Sequence, residues 1–257
     1  MRLAVLGGRG SSTNILLNWL HDNDFQDVIA IVEDRVPRKL LVKNRCRRLG
    51  IFTTVGQLAF QGIIAPILQR LSRKRIREIM AEYGLRDERP GHVRVEEVES
   101  VNAERTIKLL QDLQPDIVIV NGTRIIREHV LRNLNCPVLN THVGITPEYR
   151  GVHGGYWALW DGDPENFGVT LHLVDAGVDT GPVLAQVRTK PAARDNFATY
   201  PVLQQAVSLP ALKASLSKPA ELAGLTRVTH SEITKPSRQW YHPTLWQYLT
   251  GLFRGVK

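Results

Sequence analysis

The opening of the chain narrows its fold more than any other stretch. The apolar run Leu3-Ala4-Val5-Leu6 ends in Gly7-Gly8, a polar turn runs from Arg9 to Asn14, and Ile15-Leu16-Leu17 with Trp19-Leu20 then reads as helix. A strand, a glycine-rich turn and a helix start form the first unit of a doubly wound α/β fold. The rhythm recurs. Asp27–Val32 reads as a second strand closed by Glu33-Asp34, and Asn102–Leu113 as an amphipathic helix leading into the strand Ile117–Val120. Val138-Leu139-Asn140 is a short buried strand, Val143–Gly155 a glycine-rich loop before a helix at Tyr156–Trp160, and Gly168–Val174 alternates as a strand does. Val183–Arg188 is the next strand, and Phe197–Leu216 reads as a helix interrupted at Pro201 and Pro210. Strands alternating with helices favour a mainly parallel sheet with crossover connections.

Residues from about 35 to 90 break the rhythm, being basic and helical with few strand signals. The formal charge of +8 is concentrated there: Arg35–Arg48 holds seven basic residues and no acidic one, and Arg70–Arg77 holds five more. The rest of the chain is slightly acidic. Ile51–Met80 combines apolar positions (Ile63, Ile64, Ile67, Leu68, Leu71) with the second cluster, which admits two readings. One is a flap packed on the domain with a solvated basic face; the other is an interfacial helix on an anionic membrane, near lipid-linked glycans. Without a nucleic-acid-binding motif, no specific nucleic-acid partner is expected.

The longest apolar stretch, Ile51–Leu68, is broken by Gln57, Gln61, two glycines and Pro66, so no membrane span is expected. The N-terminus runs directly into a strand, without a signal segment. Cys46 and Cys136 have no disulfide or zinc spacing, and the expectation is a cytoplasmic protein without metal. Residues 1–215 are expected to form a catalytic domain that includes the insert at about 35–90. Residues 216–257 are expected as a tail packed on it.

Two elements could carry chemistry. Asn140-Thr141-His142 lies at the carboxyl end of a buried strand, where ligands of open α/β sheets bind. Asp175-Ala176-Gly177-Val178-Asp179-Thr180-Gly181 is an acidic, glycine-rich loop between two strands, and alone it would be read as a turn. Together, and at this spacing, they resemble the formyltransferase family. Its pattern, Asn-x-His, then a Pro-x-aromatic-x-Gly loop, then Gly-Val-Thr-x-His through Asp-Thr-Gly, runs almost unbroken across Val138–Gln186.

The resemblance implies a Rossmann-like fold and a reaction in which N10-formyltetrahydrofolate donates its formyl group to a primary amine, with no metal. It implies Asn140, His142 and Asp179 as the catalytic residues. Asn140 and His142 would stabilise the tetrahedral oxyanion, and Asp179 would orient or protonate His142. It implies a folate pocket lined by Gly122, Arg124, Ile125, Ile126, Val174 and Asp175.

For the acceptor, Gly10, Ser11, Ser12 and Asn14 precede a helix and resemble, one residue out of register, the phosphate loop of glycinamide ribonucleotide transformylases. His153 and Gly181–Gln186 also resemble those enzymes. The basic insert and Trp240–Tyr248 do not, and the C-terminal stretch is too short for the barrel of methionyl-tRNA formyltransferases. Sugar N-formyltransferases share the core and vary around it. The expected acceptor is a small, phosphorylated or nucleotide-linked amine. The alternatives are hydrolysis of the formyl donor, or a folate- or nucleotide-binding module without catalysis.

Overall fold

Nine strands are arranged as one seven-stranded sheet and one two-stranded sheet in the computed structural model, which describes residues 1–225 and 237–257. In chain order the strands are β1 (Leu3–Gly8), β2 (Val28–Glu33), β3 (Arg94–Val98), β4 (Ile117–Asn121), β5 (Val138–His142), β6 (Tyr149–Gly151), β7 (Gly168–Leu173), β8 (Val183–Arg188) and β9 (Arg238–Trp240). The large sheet has the order β3-β2-β1-β4-β5-β7-β8. Its first five strands are parallel, and β7 and β8 are antiparallel to their neighbours. The mainly parallel α/β expectation is met.

Alternation along each central strand explains why helices cover both faces. Leu3, Val5, Ile117 and Ile119 point into one core, and Ala4, Leu6, Val118 and Val120 into the other. The chain winds outward from β1 to β3 and then returns to β4 on the other side. That reversal opens a crevice beyond the carboxyl ends of β1 and β4.

Three local expectations need correction. β3, Arg-Val-Glu-Glu-Val, carried no strand expectation because it is largely charged. It forms because it is an edge strand, paired only to β2, so Arg94 and Glu97 reach solvent. Pro210 does not interrupt its helix, which runs unbroken over Tyr200–Leu216; burial of Ala206, Leu209 and Leu212 outweighs the lost backbone hydrogen bond. The third concerns Ile51–Leu71, which is one helical run of 21 residues, long and apolar enough to cross a membrane by length and composition. Its α segments, Ile51–Ala59 and Ala65–Leu71, are joined by a π turn at Phe60–Ile64. Pro66 falls just after that wide turn, where the missing N–H and the ring are accommodated.

The stretch after residue 236 returns to the domain. β9 pairs in parallel with β6, with Gly151 opposite Trp240. A Cβ on Gly151 would collide with the Trp240 carbonyl, and its φ of 98° also calls for glycine. Trp157 Nε1 donates to the Tyr241 carbonyl at 2.9 Å, and Gln57 Nε2 to the His242 carbonyl at 2.7 Å. The helix Leu245–Phe253 follows, started by a capping box between Thr244 and Gln247.

Candidate active site

β5 presents Asn140 and His142 on one face, because they are two residues apart on a strand. β7 runs antiparallel beside it with His172 directly opposite Asn140, so His172 shares that face. The turn after β7 then brings Asp179 back over the pair. Asp175 Oδ1 fixes that turn by accepting from the Gly177 amide at 3.0 Å and the Thr180 hydroxyl at 2.8 Å. Arg150 Nη1 donates to the Val178 carbonyl at 2.9 Å. Asp179 itself is left-handed, with φ 51°, a conformation Asp adopts more readily than most side chains.

The carboxylate of Asp179 sits at the centre of the group. Asn140 Nδ2 donates to Oδ1 at 3.2 Å, and the Gly151 amide donates to Oδ2 at 2.8 Å. His142 Nδ1 lies 3.4 Å from Oδ2, and His172 Nε2 lies 3.5 Å from Oδ1. The second nitrogen of each imidazole is held by backbone. His142 Nε2 is 2.6 Å from the Tyr149 carbonyl, and His172 Nδ1 is 2.8 Å from the Leu173 carbonyl. A carbonyl only accepts, so this pattern assigns the proton of each neutral ring to that nitrogen. His142 Nδ1 then turns a lone pair towards Asp179, and His172 Nε2 accepts from Asn140 Nδ2 at 3.1 Å.

Burial holds the His142 imidazolium below its ordinary range, with the Asp179 charge and the Tyr149 carbonyl acting the other way. Burial also works to raise the Asp179 pKa, but the neighbouring imidazoles of His142 and His172 and the Gly151 amide outweigh it and bring it down to about 2. In the resting site Asp179 is therefore ionised and His142 neutral near neutral pH. A lone pair and a carboxylate 3.4 Å apart make a ready acceptor for one proton.

These groups lie at the base of an open cleft of about 380 Å³. Gly122, Arg124, Ile125, Ile126, Val174 and Asp175 all line it with the catalytic candidates, so both sets of expected residues meet in one place. Their roles differ. Ile125 is 53% exposed in the cleft, whereas Ile126 is 4% exposed and belongs to the core beneath it. Arg124 is committed to the fold through Glu33 at 3.2 Å and the carbonyls of Glu99 and Asp34 at 2.8 and 2.6 Å.

The turn with Gly10, Ser11, Ser12 and Asn14 lies beyond β1 and is not among the residues lining this cleft. Ser12 shares a hydrogen bond with Asn121 at the end of β4. Ser11 Oγ donates to the Asp87 carboxylate at 2.9 Å, and Asn14 Nδ2 to the Asp87 carbonyl at 2.9 Å. Arg9 is paired with Asp34 and Glu97. A carboxylate already stands at this helix N-terminus, where the dipole favours an anion.

Residues that sequence reasoning left out complete the cleft. His172 stood inside the quoted Gly-Val-Thr-x-His motif, but its partnership with Asn140 exists only through strand pairing. Arg48 from the insert and Gln239, Trp240 and Tyr241 from the C-terminal stretch also line the cleft. No spacing in the sequence links those two segments; Arg48 Nη2 reaches Gln239 Oε1 at 3.4 Å, and its guanidinium lies 5.2 Å from the Tyr241 ring centroid. Among the described residues, no group of three His, Cys, Asp or Glu is arranged to hold a metal ion.

The known proteins that this chain resembles share one chemistry by name. The sequence profile described as "Formyl transferase" matches residues 1–201. A methionyl-tRNA formyltransferase of Kosmotoga olearia is 28% identical over 160 residues, covering 62% of this chain and 47% of that protein. A phosphoribosylglycinamide formyltransferase of Mycobacterium tuberculosis is 45% identical over 74 residues, covering 28% of this chain and 34% of its own. The matched region thus spans about half or less of these relatives. Among solved structures, a sugar N-formyltransferase from Shewanella superposes with a TM-score of 0.53 at 14% identity, covering 94% of this chain and 76% of the other. The phosphoribosylglycinamide formyltransferase of Streptococcus pneumoniae gives 0.51 at 20% identity, covering 84% and 99%. Both structures share the fold of this chain.

Proposed function

The chain belongs to the formyl transferase family, and from that premise we propose that it transfers a formyl group from N10-formyltetrahydrofolate to a primary amine. The acceptor is a small phosphorylated or nucleotide-linked molecule. The observation that carries this reading is the single carboxylate, Asp179, within reach of both Asn140 and His142 at the base of a cleft.

The donor's flat ring system suits the cleft wall, where Val120, Ile125, Ile126 and Val174 are apolar and the Asp175–Asp179 turn offers polar edges. Attack of the amine nitrogen on the formyl carbon places negative charge on the formyl oxygen. Asn140 supplies the donor for that oxyanion. Both its amide hydrogens are taken in the resting site, so one contact passes from Asp179 or His172 to the substrate as the reaction proceeds. The proton lost by the amine goes to His142 Nδ1, where the imidazolium is stabilised by Asp179. When the bond between the formyl carbon and N10 breaks, that proton is delivered to N10 and the site returns to its resting charge.

For the acceptor's phosphate we keep the turn at Gly10, Ser11, Ser12 and Asn14, with the requirement that Asp87 give way to it. A carboxylate at Ser11 opposes any second anion there. The test is incubation of the protein with N10-formyltetrahydrofolate and a panel of amino-sugar nucleotides and glycinamide ribonucleotide. The readout is mass gain of one formyl group on the amine. Release of formate with no formylated amine from any member would overturn transfer in favour of hydrolysis. Neither product would leave a binding module.

A further inference from the structure

The helical run Ile51–Leu71 shows more large apolar side chains to solvent than a helix packed on a soluble domain usually does. Two of its polar residues, Thr54 and Gln57, face inward at 1% and 2% exposed, while Gln69 and Arg70 are exposed. Phe60 is buried and Ile64 and Leu68 pack on the core, but Ile51, Phe52, Val55, Ile63, Ile67 and Leu71 are each between 51% and 75% exposed. Only 22% of its most apolar window is buried, at a mean hydropathy of 1.6. An ordinary amphipathic helix hides such residues and shows its polar ones.

The surface around this apolar row is cationic on both sides. The preceding helix, Arg38–Leu49, has no buried residue and carries exposed Arg38, Lys39, Lys43 and Arg47. Exposed Arg73 and Lys74 follow Leu71 after one buried residue, Ser72. None of these six makes an ion pair with another described residue, in contrast to Arg75, which is half-buried and paired with buried Asp195. The apolar face also extends sideways. Phe52 stacks on Trp246 at 4.3 Å between ring centroids, and the helix that begins there shows Leu249, Leu252 and Phe253 at 44%, 43% and 94% exposure.

We propose that this face docks flat on an anionic lipid bilayer. The exposed aliphatic and aromatic residues of Ile51–Leu71 and Leu245–Phe253 would enter the interface, and the flanking arginines and lysines would meet lipid phosphates. An apolar row bordered by unpaired cations is the chemistry that recognises anionic lipid rather than a neutral apolar partner. The run lies on the bilayer rather than crossing it, because Gln57 and Phe60 anchor its inner face. Gln57 bonds the His242 carbonyl, and Phe60 packs against Phe197 and Tyr248. Arg48, three residues before Ile51, lines the catalytic cleft, so docking would hold the cleft mouth beside the lipid surface. The inference rests on surface polarity alone and stands or falls separately from the chemistry at Asp179.

Flotation of the full chain with phosphatidylcholine vesicles containing about 30 mol % phosphatidylglycerol tests it, at roughly 0.1 M salt. Most of the protein should float, and far less should float with pure phosphatidylcholine. The double variant Ile63→Glu, Ile67→Glu replaces side chains that point away from the domain, and its folding is checked by thermal melting. It should remain at the bottom of the gradient. Arg73→Glu with Lys74→Glu should lower the partition more than about tenfold. The proposal is overturned if the wild type stays at the bottom, or if the Ile63/Ile67 variant folds and floats equally well. It is also overturned if light scattering shows a dimer that the same variant dissociates while no flotation occurs, since a second copy would then cover the face.

Discussion

Asp179→Asn keeps the shape of the catalytic group while removing its charge, and the structure fixes what should follow. The Gly151 amide, 2.8 Å from Oδ2, holds the surviving oxygen on that side. The new amide nitrogen then faces Asn140 Nδ2, now 3.2 Å from Oδ1, donor against donor. The charge effect is larger. Unit charges at the 3.4 Å separating His142 Nδ1 from Asp179 attract by about 5 kcal/mol at an effective dielectric near 20, and by about 1 kcal/mol in bulk water. Even the lower figure raises the His142 pKa by about one unit. In the wild type, burial lowers that pKa and Asp179 partly restores it. Without Asp179 it must fall further. Neutral His142 is the form that takes the amine's proton, so activity is lost as pH drops through its pKa. The acid limb of kcat/KM should therefore move to lower pH by at least about one unit, while the plateau falls on the order of 10²-fold or more. Asp179, at about 2, stays ionised throughout and adds no limb of its own. The assay is the pH profile of formyl transfer for the two proteins. An acid limb that stays in place or moves upward, or a plateau within a few-fold of wild type, would refute the coupling.

Three further substitutions separate positioning, binding and stability. A Cβ at Gly144 would meet His142 Nε2 at 2.6 Å and collide with the Tyr149 carbonyl, breaking the bond that fixes the ring. Gly144→Ala should cost roughly 1–3 kcal/mol by thermal melting and lower kcat beyond what the melting loss explains. Ile125→Ser should raise KM for the formyl donor with little change in kcat, whereas Ile126→Ser should destabilise the fold by about 2–4 kcal/mol, because only Ile126 is buried; steady-state kinetics and denaturant titration distinguish them. Asp195 is fully buried against Arg75 at 2.7 Å; burial opposes its charge, but Arg75 and the Ala192 amide hold its pKa below the ordinary value. Its stability contribution is thus complete above the unfolded carboxyl pKa of about 4 and is lost as pH falls below it. Asp195→Ala should cost about 3–5 kcal/mol at neutral pH, with a smaller deficit in acid, measured by denaturant titration at each pH.

Much of the catalytic centre was legible because its geometry follows from local rules. Asn140 and His142 are two residues apart on a strand, which alone puts them on one face. The Asp175–Asp179 turn announces itself through Asp and Gly. What escaped was set by pairing and burial. Alternation puts His172 on the face of Thr170, but only the register of β7 against β5 shows that this face meets Asn140. β3 escaped because an edge strand tolerates the charges that argue against a central one. The apolar run after Gly50 looked broken because Gln57 and Pro66 were counted as interruptions. In the structure Gln57 is inward and bonded, and the π turn accommodates Pro66.

The uneven legibility of the two substrates has a physical origin. The proposed formyl-donor side is built from β4, β5, β7 and their adjoining turns, where strand period and turn chemistry tie each residue to its neighbours. The rest of the cleft lining comes from Arg48 on the basic insert and Gln239–Tyr241 after β8's long return, segments 191 residues apart at their contact. Nothing in strand or helix periodicity constrains such a meeting, so the two segments can vary while the catalytic group stays fixed. The insert that supplies Arg48 also carries the exposed apolar run. A change that moved the insert would therefore alter this part of the cleft and the proposed docking face together, leaving Asn140, His142, His172 and Asp179 in place. One wall of the cleft and the proposed docking face are, on this architecture, two consequences of one inserted segment.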